Sequence, residues 1–157
     1  MKNKLVFISL SILLVISVTF TFLFSKIREV KNDRDYLLTN LTQTIPQEKL
    51  NNNFVIDIST LTPFAWDRFF VFAPYASPER INSTLGRLWV GQYFTTIKTN
   101  DRVTLLVFTN KGRVVQYLEY PRGNGDFSTV DNNIGYSAEE SLFSIDEKGR
   151  IVWVYLK

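Results

Sequence analysis

The sequence predicts an α+β protein with an N-terminal transmembrane helix and a helical stalk, followed by a two-layer domain of mostly antiparallel sheet with one or two short helices. An uncharged apolar run near the N-terminus and an amphipathic segment after it predict the first two parts. Short β-rich runs separated by turn residues predict the third, because mostly antiparallel strands with few helices form layered α+β domains. The predicted parts are residues 1–25, 26–46 and 47–157.

The anchor is predicted from residues 5–24, twenty residues without a charge. At helical rise such a run spans the hydrocarbon core of a bilayer. A cleaved signal peptide is the alternative, but the run is longer than a usual signal core and no small-residue cleavage site follows it. We therefore expect a retained, single-pass helix in the cytoplasmic membrane.

The orientation of the anchor is left open by two opposing patterns. Lys2 and Lys4 precede the run and four basic residues follow it up to Arg34, a count that favours a C-terminal part inside the cell. A very short basic N-terminus directly before an apolar core is instead typical of an export signal anchor. We expect an extracytoplasmic globular domain.

The stalk is predicted from apolar residues that recur at helical spacings and stop near Pro46. This stripe either packs on its own domain or pairs with the stalk of a second copy. Arg34 interrupts it and weakens pairing, so packing on the same domain is expected. Its members are Ile27, Val30, Leu37, Leu41 and Ile45.

Strand signals fill the globular part. Residues 66–73 are predicted to form a strand. From Phe69 onward, the side chains on both of its faces are apolar, which predicts a central strand buried on both faces. Ser77, with proline and glutamate directly after it, predicts a helix start, and Gly86 suits its end. A short strand at residues 54–58 and two hairpins are also predicted, the hairpins pairing residues 103–109 with 113–119 and 142–146 with 150–156.

Composition narrows the possible functions. The chain has no histidine and no cysteine, so the commonest general base, the commonest metal ligand and every thiol are missing. The formal charge is +3, and Lys2 and Lys4 carry two of those charges ahead of the apolar run. The rest is almost neutral and lacks a basic stripe, so nucleic acid is not expected as a partner. No cofactor and no catalytic or metal-binding residue is predicted.

Five residues are weak candidates for ligand binding. Asp67, Tyr75 and Arg80 could form a surface notch, although Asp67 could instead hold a loop by accepting backbone N–H groups. Arg122 and Asp126 lie in a loop with a Gly-x-Gly pattern. That pattern binds phosphate only between a strand and a helix, and no helix follows here, so a plain loop is favoured.

Three aromatic residues, Trp89, Tyr93 and Phe94, have two alternative roles. If exposed, they could stack on sugar rings or contact a protein partner. In a chain of 15% aromatic residues, burial in the core is the expected role.

Residues 66–75, "WDRFFVFAPY", resemble a family of small bacterial membrane-anchored proteins and lipoproteins. Ile81, Leu85-Gly86 and "LLVF" at residues 105–108 also fit, so the resemblance covers about the central half of the chain. The chain lacks the cysteine to which lipoproteins attach lipid, which implies a membrane helix in its place. The resemblance implies no activity.

Two functions are compatible with these patterns. The first is a membrane-tethered, non-enzymatic binding or accessory domain at the bacterial cell envelope, with the lipid bilayer and an envelope protein or glycan as partners. The second is a carboxylate-dependent envelope hydrolase. Two carboxylates about 5–10 Å apart in an open cleft would favour the hydrolase, and scattered carboxylates with an exposed aromatic patch would favour binding. The candidate carboxylates are Asp57, Asp67, Asp126 and Asp131.

Overall fold

The computed structural model describes residues 2–48 and 55–154, with side chains described for residues 12–45 and 55–154. The chain divides into two compact units, one ending at Asp33 and the other beginning at Arg34. A long N-terminal helix and two small antiparallel sheets are present in the described residues, so the α+β class is confirmed.

The first unit consists of the N-terminal part of helix α1 (Lys2–Glu48). Its large apolar side chains from Ile12 to Phe24 are 55–71% exposed. Among the described residues, no helix combines the length and the apolar character needed to cross a membrane. The side chains of residues 5–11, at the start of the predicted anchor, are outside the described part of the structure. The anchor at residues 5–24 stays a prediction.

The C-terminal part of α1 belongs to the second unit and packs into its core. Leu37, Leu41 and Ile45 are fully buried, as expected for a stripe that packs on its own domain. Ile27, nearer the N-terminus, is 68% exposed. The helix ends at Glu48, two residues beyond the proline at which the sequence predicts its end.

The remaining elements of the second unit are short. Three 3-10 helices, Val90–Phe94, Arg122–Asn124 and Phe127–Val130, lie between the regular elements of the described chain. In chain order, the strands and α-helices are β1 (Ile56–Asp57), α2 (Ile58–Leu61), β2 (Arg68–Phe72), α3 (Pro78–Leu85), β3 (Val103–Asn110), β4 (Arg113–Pro121), β5 (Leu142–Ile145) and β6 (Ile151–Trp153).

The larger sheet has the order β2-β3-β4, and both of its strand pairs are antiparallel. The predicted hairpin between β3 and β4 is confirmed. Lys111 and Gly112 have φ angles of 52° and 68° in its turn, the left-handed conformation that tight hairpin turns require. In the predicted helix α3, the Ser77 hydroxyl accepts the N–H of Arg80, and Gly86 ends the helix with φ 66°.

The prediction that the strand after Trp66 is central is wrong, because β3 holds the middle of the sheet and β2 its edge. The apolar pattern of this strand indicates that its side chains are buried, but it does not indicate where the strand lies in the sheet. Side chains pack against both faces of this sheet, towards α1 on one face and towards α3 on the other. The predicted two-layer arrangement, with a single covering layer, therefore does not describe this sheet. At the β2 edge, Phe69 and Tyr136 exchange backbone hydrogen bonds of 2.8 and 2.9 Å.

The smaller sheet has the order β1-β5-β6 and is also antiparallel. The predicted strand at residues 54–58 is shorter here, and Phe54 lies outside the described residues. Strand β1 stops at Asp57 because that carboxylate accepts the N–H of Ser59 at 2.9 Å and caps α2. The division of the strands into two sheets has no counterpart in the sequence prediction.

Candidate functional site

Asp67 lies just before β2 and fastens the turn between β3 and β4. Its carboxylate accepts the backbone N–H of Lys111 and, at 3.1 Å, the hydroxyl of Thr109. Its own N–H donates to the carbonyl of Thr109 at 2.8 Å. These contacts match the loop-holding role considered for this residue.

Tyr75 lies beyond the other end of β2 and is 63% exposed. Its φ angle is 66°, a left-handed conformation that is rare for a bulky side chain. Its N–H donates to the carbonyl of Ile97 at 2.8 Å. Tyr75 is therefore held next to the segment that leads into β3.

Arg80 contacts Asp131, so the predicted notch of Asp67, Tyr75 and Arg80 does not form. Its Nη2 lies 2.7 Å from Oδ1 of Asp131, whose Oδ2 accepts the N–H of Ala73 at 2.9 Å. Ala73 follows β2, whereas Asp67 precedes it. The length of the strand keeps the two carboxylates at opposite ends.

The structure does bring Arg122 and Asp126 together. The guanidinium donates to the carboxylate twice, at 2.9 and 2.6 Å, and a third time to the carbonyl of Asp101 at 2.8 Å. Partial burial alone would raise the pKa of Asp126, but the hydrogen bonds from Arg122 and Ser128 lower it to about 2. The pair fixes the loop and leaves little of either charge for a ligand.

Two cavities accompany this loop and the segment after it. One of about 570 Å³ is lined by residues 122–126 together with Lys148, Gly149 and Arg150. Arg150 is already paired with Asp146 at 2.6 Å. The other, about 440 Å³, lies beside Tyr136 and Trp153, whose polar atoms donate to backbone carbonyls at 2.7 and 2.6 Å. The arginine and aspartate side chains of the first cavity and the phenol and indole groups of the second are thus engaged within the protein.

The four carboxylates of the hydrolase hypothesis are each engaged in local structure. Asp57 caps a helix, Asp67 holds a turn, Asp126 pairs with Arg122, and Asp131 pairs with Arg80. Among the described residues, no group of three or more carboxylates is placed to hold a metal ion. Each of the four carboxylates is therefore held by a neighbouring group of its own.

An apolar patch lies on the surface between α3 and β3. Four side chains within seven residues are 58–78% exposed, so the expectation that Tyr93 and Phe94 are core residues is wrong. Trp89 is half-buried and packs against the core. We call these four residues the 88–94 patch: Leu88, Val90, Tyr93 and Phe94.

The 3-10 helix Val90–Phe94 carries three of the four patch residues and points its one amide side chain, Gln92, into the protein. Gln92 is 5% exposed, and its Nε2 donates to Oδ1 of Asn82 at 3.1 Å. The same oxygen accepts the backbone N–H of Trp89 at 2.9 Å. Because Gln92 is fastened inward to α3, Val90, Tyr93 and Phe94 remain in solvent.

The patch is also fastened at both of its ends. At the start, the ring of Trp89 packs edge-on against Tyr117, with centroids 5.1 Å apart. At the far end, the backbone N–H and the hydroxyl of Thr96 both donate to Oε1 of Glu119, at 2.6 and 2.9 Å. The patch is therefore a preformed surface on the sheet.

The sequence carries only a faint signal of this surface. Val90 and Tyr93 are three residues apart and share a face of a 3-10 helix, whereas Gln92 falls on another. The composition of the chain favours the opposite prediction, because a chain with thirteen phenylalanines is expected to bury most of its aromatic side chains in the core. The polar anchor of the turn, Asn82, lies on the preceding helix α3, and no local pattern in the sequence identifies it.

No protein-family model, curated protein or solved structure matches this chain. The resemblance of residues 66–75 to membrane-anchored proteins and lipoproteins therefore stays a prediction.

Proposed function

We propose that this chain is a membrane-tethered, non-enzymatic binding or accessory domain at the bacterial cell envelope. The observation that carries the proposal is the 88–94 patch, whose four large apolar side chains are 58–78% exposed. Single exposed apolar residues are ordinary on protein surfaces, whereas several large ones within seven residues of chain are of the kind found at interaction sites.

The rigidity of the patch supports a binding role. A surface that is ordered before binding loses less conformational entropy when the partner arrives. The hydrogen bonds from Trp89 and Gln92 to Asn82, and those from Thr96 to Glu119, supply that order. A site for a component of the envelope could thus be small and still effective.

Membrane tethering is proposed from the N-terminal helix. The run at residues 5–24 has no charge, and its described side chains from Ile12 onward are exposed. Apolar surface of this extent is unfavourable in water, and a bilayer would cover it. In this proposal the chain crosses the cytoplasmic membrane once and its globular domain lies on the extracytoplasmic side.

The hydrolase alternative finds less support. Acid–base chemistry on a glycosidic bond needs a carboxyl pair that faces the same open cleft. Asp126 and Asp131, the two candidates nearest in sequence, are each bound to a separate arginine. The hydrogen bonds from Arg122 also hold the pKa of Asp126 low, which is unsuitable for a general acid.

Photo-crosslinking in intact cells tests the proposal. A photoreactive residue replaces Phe94 in the full chain, and in a control chain it replaces Ile134, a side chain outside the patch with nearly equal exposure (78% against 74%). We expect the chain in the membrane fraction after a high-salt wash, and a lipid, protein or glycan of the envelope captured at position 94.

Two results would contradict the proposal. Recovery of the chain in the soluble fraction would show that it is not tethered to the membrane. Equal capture at positions 94 and 134 would show that the patch is not the binding surface. An external protease that cleaves the domain only after the cytoplasmic membrane is opened would instead reverse the proposed side of the membrane.

A further inference from the structure

We infer that Asn124 is a site of spontaneous deamidation and that the loop of residues 122–126 holds the reaction back. Asn124 and Gly125 form the only Asn-Gly dipeptide in the chain. In such a dipeptide the backbone nitrogen of the glycine attacks the side-chain amide of the asparagine. Glycine hinders this attack least, because it has no side chain and turns freely about its backbone bonds.

The reaction closes a ring between the asparagine side chain and the main chain. The nitrogen of Gly125 forms a bond to Cγ of Asn124, the bond from Cγ to Nδ2 breaks, and Nδ2 leaves as ammonia with the proton of the Gly125 N–H. Water then opens the ring at either of its carbonyl carbons. The product is aspartate or, when water attacks the backbone carbonyl, isoaspartate, whose main chain is one carbon longer.

The fold requires the glycine of this dipeptide. An added Cβ at Gly125 would stand 2.7 Å from Cγ2 of Ile45 and 3.3 Å from Cδ1 of Ile151. Ile45 is fully buried where α1 packs into the core, so it cannot move aside without disturbing close-packed neighbours. A larger residue, which would slow the reaction, therefore does not fit, and the packing keeps a reactive dipeptide in this loop.

Hydrogen bonds hold the attacking nitrogen away from the reaction. The N–H of Gly125 donates to the carbonyl of Arg122 at 3.1 Å, directly after the 3-10 helix that ends at Asn124. Attack on the asparagine requires this bond to break, because the proton must leave and the nitrogen must turn towards the side chain. The next N–H, that of Asp126, donates to the carbonyl of Gly149 at 2.9 Å. The dipeptide is thus also fixed on its C-terminal side.

The ion pair of Arg122 and Asp126 closes the loop across the dipeptide. Its two hydrogen bonds, 2.9 and 2.6 Å long, join the residues on either side of Gly123-Asn124-Gly125. The three residues between them cannot rearrange far while the pair is intact. The rate of deamidation is then the rate in an open chain multiplied by the fraction of time for which the loop is open.

The two products should affect the fold differently. Asn124 lines the cavity of about 570 Å³ together with Lys148 and Arg150, so a new carboxylate there meets basic side chains. The variant N124D should therefore melt like the parent. Isoaspartate lengthens the main chain directly before Gly125, where the packing against Ile45 is tight. Chains that carry isoaspartate should melt at a lower temperature.

Mass spectrometry of the full chain, incubated at neutral pH, tests the inference. Peptide mapping locates the conversion at Asn124 and separates aspartate from isoaspartate. We expect slow conversion in buffer and fast conversion in denaturing urea, where the loop is open. R122Q should raise the rate in buffer about fivefold, the factor expected when a partly exposed ion pair is lost from an opening equilibrium. It should leave the rate in urea at the parent value.

R80Q is the matched control for R122Q. It also removes an arginine from an ion pair with an aspartate, and the arginine side chains are similarly exposed, 42% against 35%. Its conversion at Asn124 should equal that of the parent. R122K keeps the charge but loses the two-pronged hydrogen bonding, so its rate should lie between those of the parent and R122Q. Thermal unfolding of each variant shows whether it is folded during the incubation.

Three results would overturn the inference. Equal rates in buffer and in urea would show that the loop gives no protection. Parent-like conversion in folded R122Q would show that the ion pair does not control the opening. An asparagine that stays intact in urea would show that the dipeptide is not reactive.

The parent chain in low urea decides the matter if neither variant at position 122 folds. A rate that stays level below the unfolding transition indicates local opening of the loop and supports the inference. A rate that rises in proportion to the unfolded fraction indicates that the whole chain must unfold first, and it overturns the inference.

Discussion

The indole ring of Trp89 lies directly against the backbone of Gly91, where a Cβ atom would stand 2.5 Å from Cε2 of the ring. Only glycine leaves room for this contact. The contact holds Trp89 between Gly91 and Tyr117, at the start of the 88–94 patch.

Replacing Gly91 by alanine should displace the ring of Trp89 and weaken the patch. Overpacking of this kind costs about 1–3 kcal/mol of the free energy of unfolding. Thermal unfolding and tryptophan fluorescence of the full chain measure both effects. In the described structure an added Cβ at Gly123 meets no atom within 4 Å, so Gly123→Ala is the control and should leave both readings near the parent. Parent-like fluorescence in Gly91→Ala would refute the role of this contact.

Phe72→Ala tests the buried strand β2. Phe72 is fully buried, and removal of its ring leaves a cavity that costs about 3–5 kcal/mol. Phe94→Ala removes the same ring from a position that is 78% exposed, and its cost should be within about 0.5 kcal/mol. Equal melting temperatures for these two variants would be incompatible with the described core.

Asp67→Asn should lower stability by about 1–3 kcal/mol and leave the chain folded. The asparagine keeps one acceptor oxygen, but it cannot accept both from the N–H of Lys111 and from the hydroxyl of Thr109 on separate oxygens. Denaturant unfolding measures the loss, and Glu147→Gln, at an exposed acid, serves as the control. If Asp67→Asn instead keeps full stability and abolishes capture at the patch, Asp67 belongs to a binding site.

The ion pair of Arg122 and Asp126 predicts a pH dependence. The pKa of Asp126 is lowered from 3.8 to about 2, so its contribution is complete above pH 3.8 and is lost as the pH falls through about 2. A shift of this size is equivalent to about 2 kcal/mol, and solvent screening of the partly exposed pair reduces it to about 1 kcal/mol.

Denaturant unfolding at neutral pH and near pH 2 checks this dependence. Asp126→Asn lacks the titrating group, so the parent should lose about 1 kcal/mol more than this variant on acidification. The hydroxyl of Thr129 donates to the backbone carbonyls of Asp126 and Ile151 and not to the carboxylate, so the variant should retain these local contacts. An equal loss in both chains would show that the carboxylate does not carry the effect.

Local chemistry explains which parts of the fold could be predicted. Ser77, Gly86 and Gly112 act within a few residues of their own position, so helix α3 and the β3–β4 turn are readable from the sequence. At the sheet edge, β2 pairs with β3 on one side and, through Phe69, with Tyr136 on the other, more than sixty residues further along the chain. No local pattern encodes such a pairing, and burial on both faces suggested a central strand.

The candidate site was predicted less well for the same reason. The pairing of Arg122 with Asp126 spans four residues and could be anticipated, whereas that of Arg80 with Asp131 spans fifty-one. The exposure of Tyr93 and Phe94 follows from the inward position of Gln92, which depends on a side-chain hydrogen bond to Asn82 on the preceding helix α3. Residue type alone favoured the core for every aromatic side chain.

The edge of β2 also bears on aggregation. Phe69, Phe70, Val71 and Phe72 form an uncharged run without proline, the composition of segments that stack into intermolecular cross-β fibrils. The backbone of Tyr136 and the carboxylate of Asp131 occupy hydrogen-bonding groups along this edge. Residues 131–136, which form no regular secondary structure, therefore shield the strand, and a protease cut within them would expose a template on which further copies could assemble.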